Sequence, residues 1–498
     1  MSQIQLSDLS FCYPGSYDPV FSHISLTLDD RWKLGLIGRN GRGKTTLLYL
    51  LAGMLSGRGH ISANINFRCF PIPVPEPRRL TADVLSELSG SCASWVLERE
   101  LSLLGINTAV LSRPFCSLSP GEQTKVQLAA LFTAENTFPL IDEPTNHLDL
   151  EGRQLLGQYL RQKQGFILVS HDRALLDGCA DHILAINKAD IELQKGNFSS
   201  WLQNRRQQDD FERTQDARLR QQIRHLSKAA QRTTGWSEQL EKTKFGSSNS
   251  GLRPDRGYIG HKSAKIMRRV KNIERRREAA IAQKSTLLHN IERVDDLKLT
   301  TLHHHNKRLL LLDGVVPCYH GRAVCAPVHL SITQGMRLAI TGKNGTGKSS
   351  LLRIIASEPV DYMGTIARTG NVQISYVPQR TDGLSGMLSA YAEQSHIDIS
   401  QFFTILRKLG FSRVQFEKDI CTFSEGQKKK VLIARSLCEQ AHLYLWDEPL
   451  NYIDIDSRMQ IEELLLKFQP TMIFVEHDKT FNDKLSTSVL PLSPSVMR

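Results

Sequence analysis

The sequence has no long apolar run. Its 498 residues contain nothing near the roughly 18 consecutive apolar residues of a membrane span, so a transmembrane role is not expected. The opening Met1-Ser2-Gln3-Ile4-Gln5 lacks the basic-then-apolar pattern of a secretory leader. Cysteine is sparse: nine residues, an odd number, with no Cys-x-x-Cys. That argues against a disulfide framework, a zinc ribbon or an iron–sulfur cluster, and for reduced thiols in or near cores. His303-His304-His305 has no partner motif and reads as a polar connector rather than a metal site. Acidic residues fall short of basic ones, 51 against 63, leaving a formal charge of +12. An apolar fraction of 40% excludes global disorder. At roughly 100–200 residues per domain the length suggests two to four domains.

The acidic deficit is local. Residues 201–300 hold 23 basic and 12 acidic residues, nearly all of the net charge. Leu219, Ile223, Leu226 and Ala230 fall on one helical face. Ile266, Val270 and Ile273 form a second stripe, continued by Ala280, Leu287, Ile291 and Val294. Between them Gly246-Ser247-Ser248-Asn249-Ser250-Gly251, Pro254, Gly257 and Gly260 break helix. The pattern predicts a helical hairpin over 199–243 and 261–297 with a Gly/Ser/Pro tip. A single-sign excess of this size points to an anionic partner.

On either side of that segment the sequence repeats itself. Gly38-Arg39-Asn40-Gly41-Arg42-Gly43-Lys44-Thr45 returns as Gly342-Lys343-Asn344-Gly345-Thr346-Gly347-Lys348-Ser349. Asp142-Glu143-Pro144 returns as Asp447-Glu448-Pro449, and His171-Asp172 as His477-Asp478, at offsets of 304 to 306 residues. Apolar strand-type runs precede each Gly-rich loop and each acidic pair, and helix-type runs follow. Each copy therefore reads as α/β with a mostly parallel sheet.

The Gly-rich loops are P-loops, whose backbone N–H groups close on phosphates. Their candidate nucleotide contacts are Gly38, Asn40, Gly41, Gly43, Lys44, Thr45 and Thr46, and Gly342, Asn344, Gly345, Gly347, Lys348, Ser349 and Ser350. The lysines are placed to meet the β- and γ-phosphates. Thr45 with Asp142, and Ser349 with Asp447, are placed to hold Mg²⁺. Glu143 and Glu448 follow as residues that position or deprotonate the attacking water, and His171 and His477 as γ-phosphate contacts.

Leu118-Ser119-Pro120-Gly121-Glu122 and Phe423-Ser424-Glu425-Gly426-Gln427, each about 25 residues before an acidic pair, resemble the signature loops of ATP-binding cassette (ABC) ATPases. The resemblance implies that each signature closes on the nucleotide of the other cassette within one monomeric chain. Site 1 would join Lys44, Thr45, Asp142, Glu143 and His171 to Ser424 and Gly426. Site 2 would join Lys348, Ser349, Gln379, Asp447, Glu448 and His477 to Ser119 and Gly121. Tyr13 and Tyr319 match the aromatic that stacks on adenine. Gln379 matches a glutamine that senses the γ-phosphate and Mg²⁺, whereas the corresponding Arg68-Cys69-Phe70-Pro71 runs on into Ile72.

Two cassettes around a basic hairpin, without a membrane span, resemble the ABC-F family of soluble translation factors. The Gly196-Asn197-Phe198 start of the linker is similar too. The implied domains are a first cassette over 1–198, a hairpin linker over 199–300 and a second cassette over 301–498. From Ile72 to Leu118 and from Gln379 to Phe423 the chain runs 46 and 44 residues, leaving no room for an extra arm in the first cassette, and only 21 residues follow His477. The resemblance implies cytoplasmic binding to the bacterial ribosome at the E site, with contacts to large-subunit rRNA and P-site tRNA and no integral membrane partner. Candidate RNA contacts are Lys244, Phe245, Arg253, Arg256 and Tyr258 at the tip, and Arg268, Arg269, Arg275, Arg276 and Arg277 on the hairpin. Ser250-Gly251-Leu252-Arg253-Pro254-Asp255-Arg256-Gly257-Tyr258 and Trp446-Asp447-Glu448-Pro449-Leu450-Asn451-Tyr452 are similar to the Lsa-type branch. That branch protects ribosomes from lincosamides, streptogramin A and pleuromutilins. A housekeeping ABC-F factor and the tandem ATPase of an importer remain alternatives.

Overall fold

The computed structural model describes residues 3–15, 19–90, 93–134, 136–187, 190–243, 256–287, 297 and 299–494. The runs Leu34–Ile37, Phe138–Ile141 and Phe166–Val169 are apolar on both faces. They form central strands of a sheet covered on both sides, and every one of these residues except Pro139 is a buried core hydrophobic or a glycine. The spatial order in the first cassette is Asn66–Phe70, Thr137–Asp142, Phe166–Val169, Lys33–Gly38, His182–Ile186 and Ile191–Lys195. Only the last strand runs antiparallel to its neighbour. The second cassette repeats this with Ile374–Val377, Leu443–Asp447, Met472–Val475, Arg337–Thr341 and Ser488–Pro491, all parallel.

The strand that leads into each P-loop lies inside its sheet; the histidine follows the strand beside it and the acidic pair ends the strand one further out. Ligands of open α/β sheets bind at these carboxyl ends. A small antiparallel sheet packs on each cassette, with Gln3–Phe11 between Phe21–Asp29 and Arg58–Ser62 in the first. In the second, Arg308–Tyr319 pairs with Val328–Thr333 and Tyr362–Arg368. One core in each cassette joins this sheet to the P-loop helix and the parallel sheet. In the second cassette a further core, with Phe402, Leu406, Trp446 and Phe474, carries the helix Glu425–Cys438 that the signature heads.

Chain contacts separate two compact units, Met1–Ser199 with Val294–Arg498, and Ser200–Arg293. Both cassettes lie in the first. The second is built from the helices Phe198–Thr243 and Arg256–Leu287. Their inward faces are the expected stripes: Leu219, Ala230, Val270 and Ala280 are buried. The second helix starts at Arg256 rather than 261, so Gly257 and Gly260 lie inside it. A glycine costs a helix only about 1 kcal/mol, which a helix of 32 residues absorbs. Residues 244–255, 288–296 and 298, with Ile291 and Val294 of the second stripe among them, lie outside the described residues. No helix among the described residues is long and apolar enough to cross a membrane. Among the described residues no two cysteines are joined by a disulfide, and no three His, Cys, Asp or Glu side chains, those of His303–His305 included, are grouped to hold a metal ion.

Phe474 is fully buried and meets Phe481 edge-on at 5.4 Å. Replacing it by alanine is expected to destabilise the second cassette by about 3–5 kcal/mol. Chemical denaturation followed by intrinsic fluorescence reads this as an early transition of that cassette.

Candidate functional site

The two P-loops are built alike. Gly43 (φ +91°) and Gly347 (φ +84°) cap the helices Lys44–Leu51 and Lys348–Ile355 without a side-chain cap, which leaves first-turn N–H groups free for an anion. A Cβ on Gly43 would sit 2.5 Å from Val20 Cγ1. Lys44 Nζ donates to Gly38 O at 2.7 Å and to Arg39 O at 3.3 Å, and Lys348 Nζ to Gly342 O and Lys343 O at 2.8 and 2.9 Å. Both ammonium groups thus lie across the mouth of their own loop. Burial lowers the pKa of each, opposed by Glu143, Asp454 and Asp142 around Lys44 and by Glu448, Asp149 and Asp447 around Lys348.

Thr45 Oγ1 donates to Asp142 Oδ2 at 2.7 Å, and Ser349 is hydrogen-bonded to Asp447. Burial raises the Asp142 carboxyl and pushes that of Asp447 up to about 7. Asp447 Oδ1 and Glu143 Oε1 are buried and have no hydrogen-bond partner. Paired hydroxyl and carboxylate oxygens, with a buried oxygen left over, form a donor set suited to Mg²⁺.

Glu143 and Glu448 take left-handed backbone, φ +48° and +45°, a conformation that non-glycine residues keep where the surroundings enforce it. Their N–H groups are held by Val169 O and Val475 O, both at 2.9 Å. His171 Nε2 stands 3.3 Å from Glu143 Oε1, and His477 Nε2 3.4 Å from Glu448 Oε1. Their electrostatics differ. Burial pushes Glu143 up to about 7 against the pull of Lys44 and Arg458. Burial acts on Glu448 as well, but the His477 imidazole and a hydrogen bond from Gln379 outweigh it and bring it down to about 2. Ile72 offers no such bond to Glu143. Its backbone is instead clasped by Gln127, which accepts from Ile72 N and donates to Ile72 O, both at 3.2 Å.

The signature serines cap their helices. Ser119 forms a capping box with Glu122, and Ser424 with Gln427. Each signature meets the opposite cassette. A Cβ on Gly426 would lie 3.2 Å from Asn40 Nδ2 and 2.4 Å from Tyr452 O. A cavity of about 770 Å³ is lined by Ser119 and Gly121 from the first cassette and by Tyr319, Asn344, Gly345, Gly347, Lys348, Ser349, Ser350, Gln379, Glu448 and His477 from the second. A second cavity, about 490 Å³, lies along the first cassette with Thr45, Pro71, Gln127, Asp142 and Glu143 in its wall. Tyr13 and Tyr319 are half exposed, and their hydroxyls hydrogen-bond Thr46 Oγ1 at 2.8 Å and Ser350 Oγ at 2.9 Å.

Composite sites of this kind, with P-loop, acidic pair and histidine from one copy and a capped signature helix from the other, have a recognisable sequence pattern. The ABC transporter pattern matches residues 21–146 and 325–451. The chain belongs to the ABC transporter family. It is an ABC-F-type ATP-binding protein and an ATPase. It is 28% identical to the ribosome protection protein VmlR of Bacillus subtilis, over 95% of this chain and 84% of that protein. It is 26% identical to the ATP-binding protein Uup of Caulobacter vibrioides, over 95% and 75%. Its fold is that of the archaeal ribosome recycling factor aABCE1 in complex with a ribosomal stalk protein, with TM-score 0.63, 18% identity, and 98% of this chain and 90% of that one covered. The RNase-L inhibitor superposes with TM-score 0.62 at 19% identity, over 98% and 90%.

Sequence reasoning missed several residues at these sites. Lys429 lies in a run of three lysines that reads as solvated, yet it is buried, donates to Pro378 O and Asp447 O, and is brought down to about 8 by burial. Lys430 is buried against Asp454 at 2.6 Å. Glu476 accepts from Leu450 N and His477 N. The repeat offset of 305 to 306 residues was the available signal, since it places these residues beside Thr124, Lys125 and Ser170 of the first signature helix and histidine loop. Arg268, Arg269, Arg275, Arg276 and Arg277 are exposed on their helix. Lys244, Phe245 and Arg253 lie outside the described residues, as do the side chains of Arg256 and Tyr258.

Glu448, held near 2 when folded and near 4.3 when unfolded, adds stability that is fully present above the unfolded value. That stability is lost as pH falls through about 2. Without nucleotide, Glu448→Gln is expected to flatten the acid side of a plot of unfolding midpoint against pH. Lys348→Ala is expected to weaken ATP binding at the larger cavity at least tenfold, read by titration with a fluorescent ATP analogue.

Proposed function

We propose that this ATPase works on the bacterial ribosome and protects it from antibiotics of the peptidyl-transferase centre: lincosamides, streptogramin A and pleuromutilins. The observation that carries the reading is likeness along 95% of the chain to a ribosome protection protein. The basic helical segment supports it, because exposed arginines on a long helix suit RNA phosphates. In this reading 1–198 and 301–498 are the cassettes and 199–300 is the linker.

ATP joins the cassettes by bridging the P-loop of one and the signature of the other. Lys44 and Lys348 turn from their loop carbonyls to the β- and γ-phosphates, and the signature serine and glycine cover the γ-phosphate. Thr45 with Asp142, and Ser349 with Gln379 and Asp447, would hold Mg²⁺, which would supply neutralisation of the phosphate charge. Glu143 and Glu448 orient the attacking water and accept its proton, and His171 and His477 fix the γ-phosphate. Tyr13 and Tyr319 stack on adenine. The closed form binds the E site, the hairpin lies along P-site tRNA, and its tip shifts the drug-site RNA so that the drug leaves. Hydrolysis releases the protein.

A housekeeping role at stalled ribosomes is the second reading. It is favoured by comparable likeness to Uup and, at 26% identity over 92% of the chain, to the probable ATP-binding protein YheS of Escherichia coli. Drug susceptibility separates the two. A sensitive host expressing the chain is expected to tolerate lincosamide and pleuromutilin, and the Glu143→Gln, Glu448→Gln pair to abolish the protection. Unchanged susceptibility with wild type, alongside ATP-dependent co-sedimentation with ribosomes, would support the housekeeping role. Charge-neutral replacement of Arg275, Arg276 and Arg277 is expected to weaken that co-sedimentation and to flatten its dependence on salt.

A further inference from the structure

The repeat allows the two interfaces between the cassettes to be compared residue by residue, and they are not equivalent. Behind site 1, Arg458 of the second cassette donates to the main-chain oxygen of His171 at 3.0 Å. Arg173, two residues after that histidine, makes a two-pronged ion pair with Glu462 and approaches Asp478 at 3.6 Å. All four of these side chains are buried. The histidine loop of site 1 is thus tied to the opposite cassette by a bidentate ion pair and a main-chain bond shielded from solvent, while the histidine loop of site 2 meets the same cluster through the longer Arg173–Asp478 approach.

The offset places Lys479 where Arg173 stands, Arg153 where Arg458 stands, and Gly157 where Glu462 stands. The carboxylate is therefore missing behind site 2. Arg153 hydrogen-bonds inside its own cassette, to Leu148 O at 3.1 Å and Asp172 at 3.4 Å, and reaches the second cassette through its charge on Glu476 and Asp478. Lys479, His477, Arg153 and Gly157 line a cavity of about 340 Å³ instead of a contact. The P-loop rims differ in the same sense. Asn40 Nδ2 reaches Tyr452 O at 2.8 Å, whereas the equivalent Asn344 Nδ2 is 3.5 Å from His147 O. Lys343 and Glu151 do approach to 3.0 Å on the site 2 side, but both are more than two-thirds exposed, where an ion pair holds little.

We propose that the cassettes pivot about site 1. That site stays shut through the cycle, with its histidine loop clamped by Glu462–Arg173 and Arg458, and exchanges nucleotide slowly. Site 2 opens and closes, and its nucleotide exchanges fast. Glu462 is a positioning residue, and Gly157 is the position that leaves site 2 free. Ile72 in site 1 and Gln379 in site 2 agree with this division: only the mobile site keeps a side chain that senses its carboxylate. The proposal rests on the ATPase and its paired sites and does not depend on the ribosome.

The test loads the full chain with mant-labelled AMP-PNP and Mg²⁺, then chases with unlabelled ATP. The expected result is two release phases of similar amplitude. Lys44→Ala removes the slow phase and Lys348→Ala the fast one. Glu462→Gln leaves an unpaired buried guanidinium and speeds the slow phase at least tenfold. The exchange Arg173→Glu with Glu462→Arg restores it. Gly157→Glu supplies the missing carboxylate to Lys479. Its Cβ meets only Leu175 Cδ1, at 3.4 Å, so the helix accepts it. It is expected to slow the fast phase severalfold, an effect that a merely structural role for these positions does not produce. A single release phase in wild type, loss of the fast phase in Lys44→Ala, or a fast phase unmoved by Gly157→Glu would overturn the proposal.

Discussion

Two lysines and four carboxylates are held at the carboxyl ends of two parallel sheets, and the cost of keeping charge there orders the structure around them. Isolated, each would be expelled or neutralised. They persist because they face one another, Lys44 with Asp142 and Glu143 and Lys348 with Asp447 and Glu448, and one aspartate of the opposite cassette, Asp454 or Asp149, adds its charge to each. The sheets supply the means. Apolar strands buried on both faces end at one edge, and the reactive residues follow where the strands stop. The left-handed backbone of both glutamates is the local consequence, because a turn tight enough to bring carboxylate, histidine and P-loop together leaves no relaxed alternative.

The unbalanced part of this charge suits the space to a polyphosphate. Each lysine rests on main-chain carbonyls of its own loop, and uncapped helix N-termini point into the same space. A phosphate chain replaces those weak acceptors with strong ones. In the proposed cycle the signature helix that completes each site comes from the other copy, so binding energy would pass directly into cassette pairing.

Much of this was legible in the sequence, and the reason is chemical. A P-loop needs its glycines, lysine and hydroxyl in consecutive positions, so Gly38 to Thr45 announces itself, and the second copy removes doubt. The apolar stripes of the hairpin were legible because a helix repeats its faces at short range, and Val270 and Ala280 are buried as the pattern required. Contacts made between distant segments were not legible. Arg173 and Glu462 are 289 residues apart, and neither belongs to a motif. Lys429 was hidden for the opposite reason: it stands in a lysine run, and composition alone assigns such a run to solvent. The second hairpin helix starts at Arg256, ahead of the position that the Gly257 and Gly260 breaks predict, because a glycine costs a long helix little.

The 305-residue offset has a consequence for how such a machine can change. In a symmetric homodimer every substitution appears twice, once at each equivalent interface, so the two faces are bound to stay alike. Joining the copies in one chain lifts that restriction. A carboxylate at 462 and bare backbone at 157 can then coexist, and one ancestral contact becomes two mechanical parts with different work to do.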